Sequence, residues 1–374
     1  MRQIKVFDKY KRIVIKIGSS NIANPFNNNI NKKWLNSISK DINMFKNSGK
    51  EIAIVSSGAV ALGKKYISKK EKIIKLEDKQ AAAAIGQIEL INNWQKVLLK
   101  EKIQSAQILL TLNDSEDRRR YLNAQKTIKS LLNKNFIPII NENDTVATEE
   151  IRFGDNDRLA ARVAQMMGAD LLIILTDTDG IFEKNPIKNP QAKKINIINS
   201  INKKIENIDD KKTSKFGSGG IKTKIWAAKI CLSSGCSMVI AGGNKLNPLK
   251  KINIKNSSWF LAKKSPESAK KQWLINSLNT SGKVIIDNGA EKAIFQNKSL
   301  LPAGIIEIKG EFNRGDITSV TNMKNKKIGV GVIAYSSYDA KKIIGKNSKE
   351  IKFILGYEGR DEIIHKDDLV KIKK

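Results

Sequence analysis

Asp157–Gly180 reads D-R-L-A-A-R-V-A-Q-M-M-G-A-D-L-L-I-I-L-T-D-T-D-G. Its first part, Asp157–Met167, spaces apolar residues as an amphipathic helix does, with Asp157 near the first turn. Its second part, Asp170–Leu175, is an apolar strand that stops at Thr176-Asp177-Thr178-Asp179-Gly180. A strand apolar on both faces needs helices over both, which is the condition of a parallel sheet. Ligands on such sheets bind beyond the carboxyl ends of the strands, where this stretch turns polar.

The same unit recurs on either side. Strands are expected at Arg12–Ile17, Glu51–Ser56, Ser105–Leu110, Phe136–Ile140 and Ser237–Ala241, with helices at Lys32–Lys46, Asp78–Lys100, Asn113–Asn133 and Ile225–Ser234. Several strands end in a polar or glycine cluster: Gly18-Ser19-Ser20, Ser57-Gly58-Ala59, Asn141 to Asp144, Gly242-Gly243-Asn244. Residues 1–262 therefore read as one α/β domain, a mostly parallel sheet sandwiched by helices. A polar helix, Pro266–Asn276, lies in a linker at 263–281 that closes on Thr280-Ser281-Gly282. Residues 282–374 change character. Short strands at Lys283–Asp287, Ala293–Phe295, Gly304–Lys309, Asp316–Thr321 and Lys327–Ala334 suggest a small β-barrel, with a charged tail expected to fray.

The 374 residues suit two domains, and 40% hydrophobic composition suits a buried core. Cys231 and Cys236 are too few for a disulfide framework and lack a zinc pattern, which fits a reducing compartment. No apolar run is long enough to span a bilayer, so no membrane role and a cytoplasmic location are expected. The formal charge of +31 would ordinarily point to nucleic acid. Here the lysines are scattered among abundant Ile and Asn, as composition drift would place them.

The polar clusters narrow the chemistry. Lys16 interrupts a β-branched strand just before Gly18-Ser19, so an ammonium and backbone N–H groups can converge on an anion; an edge lysine gives the same pattern. Gly58–Lys65, G-A-V-A-L-G-K-K, approaches a P-loop but has Lys65 where magnesium needs Ser or Thr. Gly217–Lys224 is a glycine-rich loop that leads into a helix with Lys224 near its start, the form of a phosphate cradle or of a plain linker. Ile139–Asp157 crowds Asn141, Asn143, Asp144, Asp155, Asn156 and Asp157 after a buried strand, a ligand loop or an Asx-rich turn. His365 is the one histidine, in the C-terminal tail, which disfavours Ser-His or Cys-His catalysis and His-ligated zinc. Lysines on glycine-rich loops, carboxylates, amides and helix starts at one sheet edge are equipment for phosphoryl transfer.

Lys16-Ile17-Gly18-Ser19, Ser56-Ser57-Gly58-Ala59, Asn141-Glu142-Asn143-Asp144, Gly154-Asp155-Asn156-Asp157, Leu175-Thr176-Asp177 and Gly217–Lys224 follow the order found in the amino acid kinase family, which residues 12–260 resemble. Residues 282–356, with L-P-A-G-I at Leu301–Ile305, resemble a PUA domain. The resemblance is nearest to the branch that phosphorylates the γ-carboxylate of L-glutamate for proline biosynthesis. It implies ATP with Mg2+, and Lys16 and Lys224 on the transferring phosphoryl group with Asp157 between them. It places the nucleotide on Lys16, Gly18, Ser19, Thr176, Asp177, Ser218, Gly219, Gly220, Ile221, Lys222, Thr223 and Lys224. Ser57, Asp144 and Asn156 would hold the amino acid, and no direct protein ligand of the metal is assigned. Proline as feedback inhibitor, a homo-oligomer and a downstream glutamyl phosphate reductase are further implications. The hairpin expected at Thr145–Phe153 would be a lid over the amino acid. Kinases of aspartate or N-acetylglutamate share the fold, and RNA binding through the PUA-like part is an alternative of another class.

Overall fold

The computed structural model describes residues 4–24, 26–67, 75–146, 156–184, 186, 189–208, 220–276 and 280–372. The chain forms two units, Met1–Glu267 and Ser268–Lys374.

The first unit is organised by an eight-stranded sheet. Its strands are β1 (Arg12–Ile17), β2 (Glu51–Ser56), β3 (Ser105–Leu110), β4 (Ile137–Glu142), β5 (Leu171–Thr176), β6 (Ile197–Ile198), β7 (Ser237–Gly242) and β8 (Ser257–Phe260). They stand in the order β3-β4-β2-β1-β5-β7-β8-β6. The first six in that order run parallel, β8 is antiparallel to β7, and β6 is parallel to β8. The main parallel strands fall within a residue or two of the sequence expectation.

Side chains alternate across a strand, so each apolar run feeds two cores. Ile13, Ile15 and Ile17 of β1 join one cluster with α1 (Lys32–Asn47) and much of the long helix that follows β2, while Val14 joins the other. That second core is roofed by α5 (Asn156–Met167) and α6 (Ile221–Ser233), through Leu159, Val163, Ile225 and Ala228. Lys16 shares the parity of Val14 and so points to the same roof. The strand period thus puts the lysine under the two helices that carry Asp157 and Lys224.

The helices α2 (Ala59–Ile67) and α3 (Leu76–Lys100) cross at Gly63 and Gly86. A Cβ on Gly63 would overlap the Ala82 carbonyl oxygen, and one on Gly86 would overlap that of Ala59. Only glycines permit backbones this near to one another. Lys65, the residue that spoils the P-loop pattern, pairs with Glu89 of α3 at 3.0 Å and helps to hold the crossing. The helix expected from Asn113 to Asn133 is two, Leu112–Glu116 and α4 (Arg118–Asn133). Asp117 breaks it: its backbone is extended and its carboxylate accepts from Arg120 N, starting a new helix.

After α7 (Pro266–Asn276), the second unit holds a mixed five-stranded sheet. Its strands are β9 (Gly282–Ile286), β10 (Ile305–Lys309), β11 (Ile317–Asn322), β12 (Lys327–Val332) and β13 (Leu369–Lys371), in the order β10-β9-β11-β12-β13. Two expectations fail here. Ala293–Phe295 is the end of a helix, α8 (Asn288–Phe295), because Asp287 caps it by accepting from Ala290 N. The charged tail does not fray through its described length: Leu369, Val370 and Lys371 pair with Gly331, Val330 and Gly329. Two helices, α9 (Ser337–Ile343) and α10 (Ile351–Leu355), complete this unit. Among the described residues, no helix is long and apolar enough to cross a membrane.

Candidate active site

At the carboxyl ends of β1, β2 and β4 two polar constructions meet. In the first, Asp157 is fully buried in the first turn of α5. Lys16 Nζ forms an ion pair with its Oδ1 at 2.7 Å. Lys224 Nζ donates to Oδ2 at 3.1 Å, and the Thr223 hydroxyl donates to the same oxygen at 3.3 Å. Burial alone would raise the Asp157 carboxyl; the two ammoniums outweigh it and hold it well below the usual carboxylate range. Both lysine side chains keep about a tenth of their surface open, 9% and 11%. One carboxylate against two cations leaves a net positive site with a little of each lysine still open, which suits a phosphoryl group gathering negative charge.

The second construction is a chain of amides. Asn156 begins α5, one residue before Asp157, so a single helix start serves both halves of the site. Its Nδ2 donates to Ser57 Oγ at 2.7 Å and to Asn141 Oδ1 at 2.9 Å. Asn141 Nδ2 in turn donates to Gln87 Oε1 of α3 at 2.8 Å. Ser57 is held from behind, its N–H donating to Ile17 O at 3.0 Å. Lys16 is the register partner of Val55, two residues before Ser57 and of the same parity, so Lys16 and Ser57 sit on one face of adjacent strands.

Asp144 follows β4 in the turn that Asn143 shapes by accepting from the Thr145 hydroxyl at 2.7 Å. Burial pushes the Asp144 carboxyl up to about 6. It borders a cavity of about 220 Å³ with Ala83, Gln87, Leu109, Glu142 and Thr145. A partly buried acid whose charge burial disfavours gains from accepting a cation.

The neighbouring edge carries the residues expected for the nucleotide. Gly18 caps the single turn Ser19–Ile22 in an extended conformation. Thr176 donates to Asp177 Oδ1 at 3.0 Å, and Asn244 Nδ2 ties the Asp177 carbonyl at 3.2 Å. Gly220 precedes α6 without a side-chain cap, so the first N–H groups at Ile221, Lys222 and Thr223 can serve an anion. Asn21, buried against Gly243, has neither polar side-chain atom hydrogen-bonded. Ser218, Gly219, Asp155 and the expected lid beyond Val146 lie outside the described residues. Among those described, no group of three or more His, Cys, Asp or Glu could hold a metal.

Sequence reasoning left two of these residues without a role. Asn141 stood in the polar cluster as one amide among several. Gln87 carried no signal, since a glutamine on an Ala-rich helix usually faces water; only its place next to the crossing glycine Gly86 marks it.

The amino acid kinase family model matches residues 11–242, and that of the PUA domain matches residues 282–355. The chain is 48% identical over 361 residues to a glutamate 5-kinase of Paramagnetospirillum magneticum, covering 96% of this chain and 97% of the relative. It is 48% identical to the glutamate 5-kinase of Agrobacterium fabrum, with 98% and 94% covered. Against that of Brucella abortus the identity is 46%, with 98% and 97% covered.

Proposed function

The chain belongs to the amino acid kinase family, and from that premise we infer that the Lys16–Asp157–Lys224 cluster and the Ser57–Asn156–Asp144 surface carry out ATP-dependent phosphorylation of the γ-carboxylate of L-glutamate. The product is glutamyl 5-phosphate, in the first step of proline biosynthesis. The observation that carries the reading is the buried carboxylate that pairs with two lysines, one of them a strand away from Ser57.

The γ-carboxylate is ionised at neutral pH, so it attacks without a general base. One of its oxygens bonds to the γ-phosphorus of ATP, the bond from that phosphorus to the bridging oxygen breaks, and the electron pair leaves with ADP. No proton moves. Lys16 and Lys224 stand ready for the charge that develops on the phosphoryl oxygens, and Asp157 keeps them from recoiling from each other. Gly18, Ser19 and the start of α6 offer N–H groups to the phosphates, with Ser218 to Thr223 and Thr176-Asp177 along the nucleotide. On the other side, Ser57 and Asn156 hold the amino acid and Asp144 accepts from its α-ammonium. An N-acetylated substrate has no such cation, which favours free glutamate.

Magnesium enters with the nucleotide. Mg2+ keeps several waters and takes phosphate oxygens readily, so an ion carried by ATP would need no cage of protein carboxylates. Bound there it neutralises phosphate charge.

We assign residues 1–262 to the kinase domain, 263–281 to a linker helix and 282–374 to the PUA-like domain. The reading further includes a cytoplasmic homo-oligomer, inhibition by proline at the glutamate site, and a reductase that consumes the labile acyl phosphate. RNA binding by the second unit is not part of it. An ADP-release assay with glutamate, aspartate and N-acetylglutamate, each with and without proline, tests this. Turnover with glutamate alone is expected; equal turnover with N-acetylglutamate would remove Asp144 from the role given to it.

A further inference from the structure

We propose that Gln87 is a positioning residue for the amino acid: through Asn141 it fixes which way round the Asn156 amide lies, and thereby makes Ser57 a hydrogen-bond donor toward the substrate carboxylate. The proposal rests on the glutamate reading and names a residue outside the motifs that led to it.

A carboxamide has a donor end and an acceptor end, and a chain of carboxamides is directional. Gln87 presents Oε1 to Asn141, which must answer with Nδ2. That leaves Asn141 Oδ1 for Asn156, which must also answer with Nδ2. The second hydrogen of the same Nδ2 goes to Ser57 Oγ. A hydroxyl whose lone pair is already engaged turns its proton outward, so Ser57 offers O–H to a carboxylate. Asn156 keeps Oδ1 as an acceptor for the α-ammonium, beside Asp144. Reversing the first link would reverse the others: Asn141 would offer Nδ2 to Asn156, Asn156 would offer Oδ1 to Ser57, and Ser57 would spend its proton inward. The surface would then present lone pairs to a carboxylate.

Backbone geometry supports the assignment. Gln87 directly follows Gly86, whose missing side chain lets α3 press onto Ala59 of α2, the helix that starts just after Ser57. Asn141 and Asn156 are both buried, so water does not compete for their amides.

Steady-state kinetics of Gln87→Met and Gln87→Glu test the proposal, with Ser57→Ala and the double variant Gln87→Met/Ser57→Ala. Met keeps the length and removes the acceptor; Glu keeps an acceptor at the same reach. Gln87→Met should raise the KM for glutamate about tenfold, the scale of one buried hydrogen bond, with the KM for ATP unchanged. Gln87→Glu should stay within about threefold of the parent, and the double variant should be no worse for glutamate than Ser57→Ala alone. An unchanged KM in Gln87→Met overturns the proposal, as does a parallel shift of both KM values with the melting temperature. Additive effects, or equal damage from Glu and Met, overturn it too. If Gln87→Met fails to fold, Gln87→Leu, which also lacks an acceptor, takes its place in the same comparisons. Parental enzyme inactive on glutamate would instead sink the functional reading itself.

Discussion

Replacing Asp144 by Asn should make the unliganded protein more stable and the enzyme worse. Burial disfavours the charge of the Asp144 carboxyl and pushes it up from an ordinary 3.8 to about 6. At about 1.4 kcal/mol per unit, ionising it in the fold costs up to ~3 kcal/mol, which solvent access to this partly buried group reduces to roughly 1–2. The folded pKa is raised, so the stabilising contribution is fully present below pH 3.8 and is lost as pH rises through about 6. Asn is neutral throughout. Asp144→Asn should therefore melt later than the parent at pH 8, by about 2–6 °C if the unit unfolds as one, and the gain should vanish near pH 4. The same change removes the acceptor for the substrate ammonium, so kcat/KM for glutamate should fall about a hundredfold or more. In the parent, kcat/KM for glutamate should decline as pH drops below about 6, while KM for ATP stays level. Scanning calorimetry at pH 4, 6 and 8 with the ADP-release assay measures both halves. A variant less stable than the parent at pH 8, or one that keeps its affinity for glutamate, would refute the reasoning.

Asp157→Asn should behave oppositely, losing about 3–5 kcal/mol of stability and on the order of a hundredfold in kcat, because two buried ammoniums lose their common counterion; a melting temperature within 2 °C of the parent, marked as roughly ΔΔG below 1 kcal/mol, would count against the cluster. Its lowered carboxyl stabilises the fold above the unfolded pKa, so this loss should be flat from pH 5 to 9 in calorimetry. Gly86→Ala should cost about 1–3 kcal/mol by overpacking against Ala59 and should also raise the KM for glutamate, since Gln87 moves with it; urea denaturation and kinetics read the two effects. Asn21→Leu removes a buried amide with no partner among the described residues while keeping the number and branching of side-chain heavy atoms, and should raise stability by about 1–3 kcal/mol in the same denaturation assay.

The sequence disclosed what depends on short-range pattern. β1, β2 and β3 occupy the expected residues because β-branched runs between helix signals have few other readings. The alternation that hides Val14 also aims Lys16, so its face was implicit in the strand. Errors arose where one residue had two uses. Asp287-Asn288-Gly289 looks like a turn, yet Asp287 uses its carboxylate as a helix cap. Asp117 looks like one more polar residue of a helix, yet it ends one and starts another. At the site, Lys16, Asp157 and Lys224 were legible because a charge in an apolar context is conspicuous. Gln87 was not, because its importance lies in an amide direction set by Asn141 and in a helix crossing set by Gly63, neither of which has a local signature.

The place of β1 has a consequence in time. It is the first strand of the chain and sits mid-sheet, pairing with β2 on one side and β5 on the other. Ile13 meets Ile52 soon after synthesis begins, but its other partner, Leu171, is made only after five more of the described helices and two more strands. Until then a ribosome-bound chain holds an apolar strand with an open edge, the feature that nascent proteins must shield from their neighbours. The hydrophobic centre of the kinase unit is committed early and closed late. A stall between Ser56 and Leu171 would release a sticky half-sheet, not a smaller enzyme.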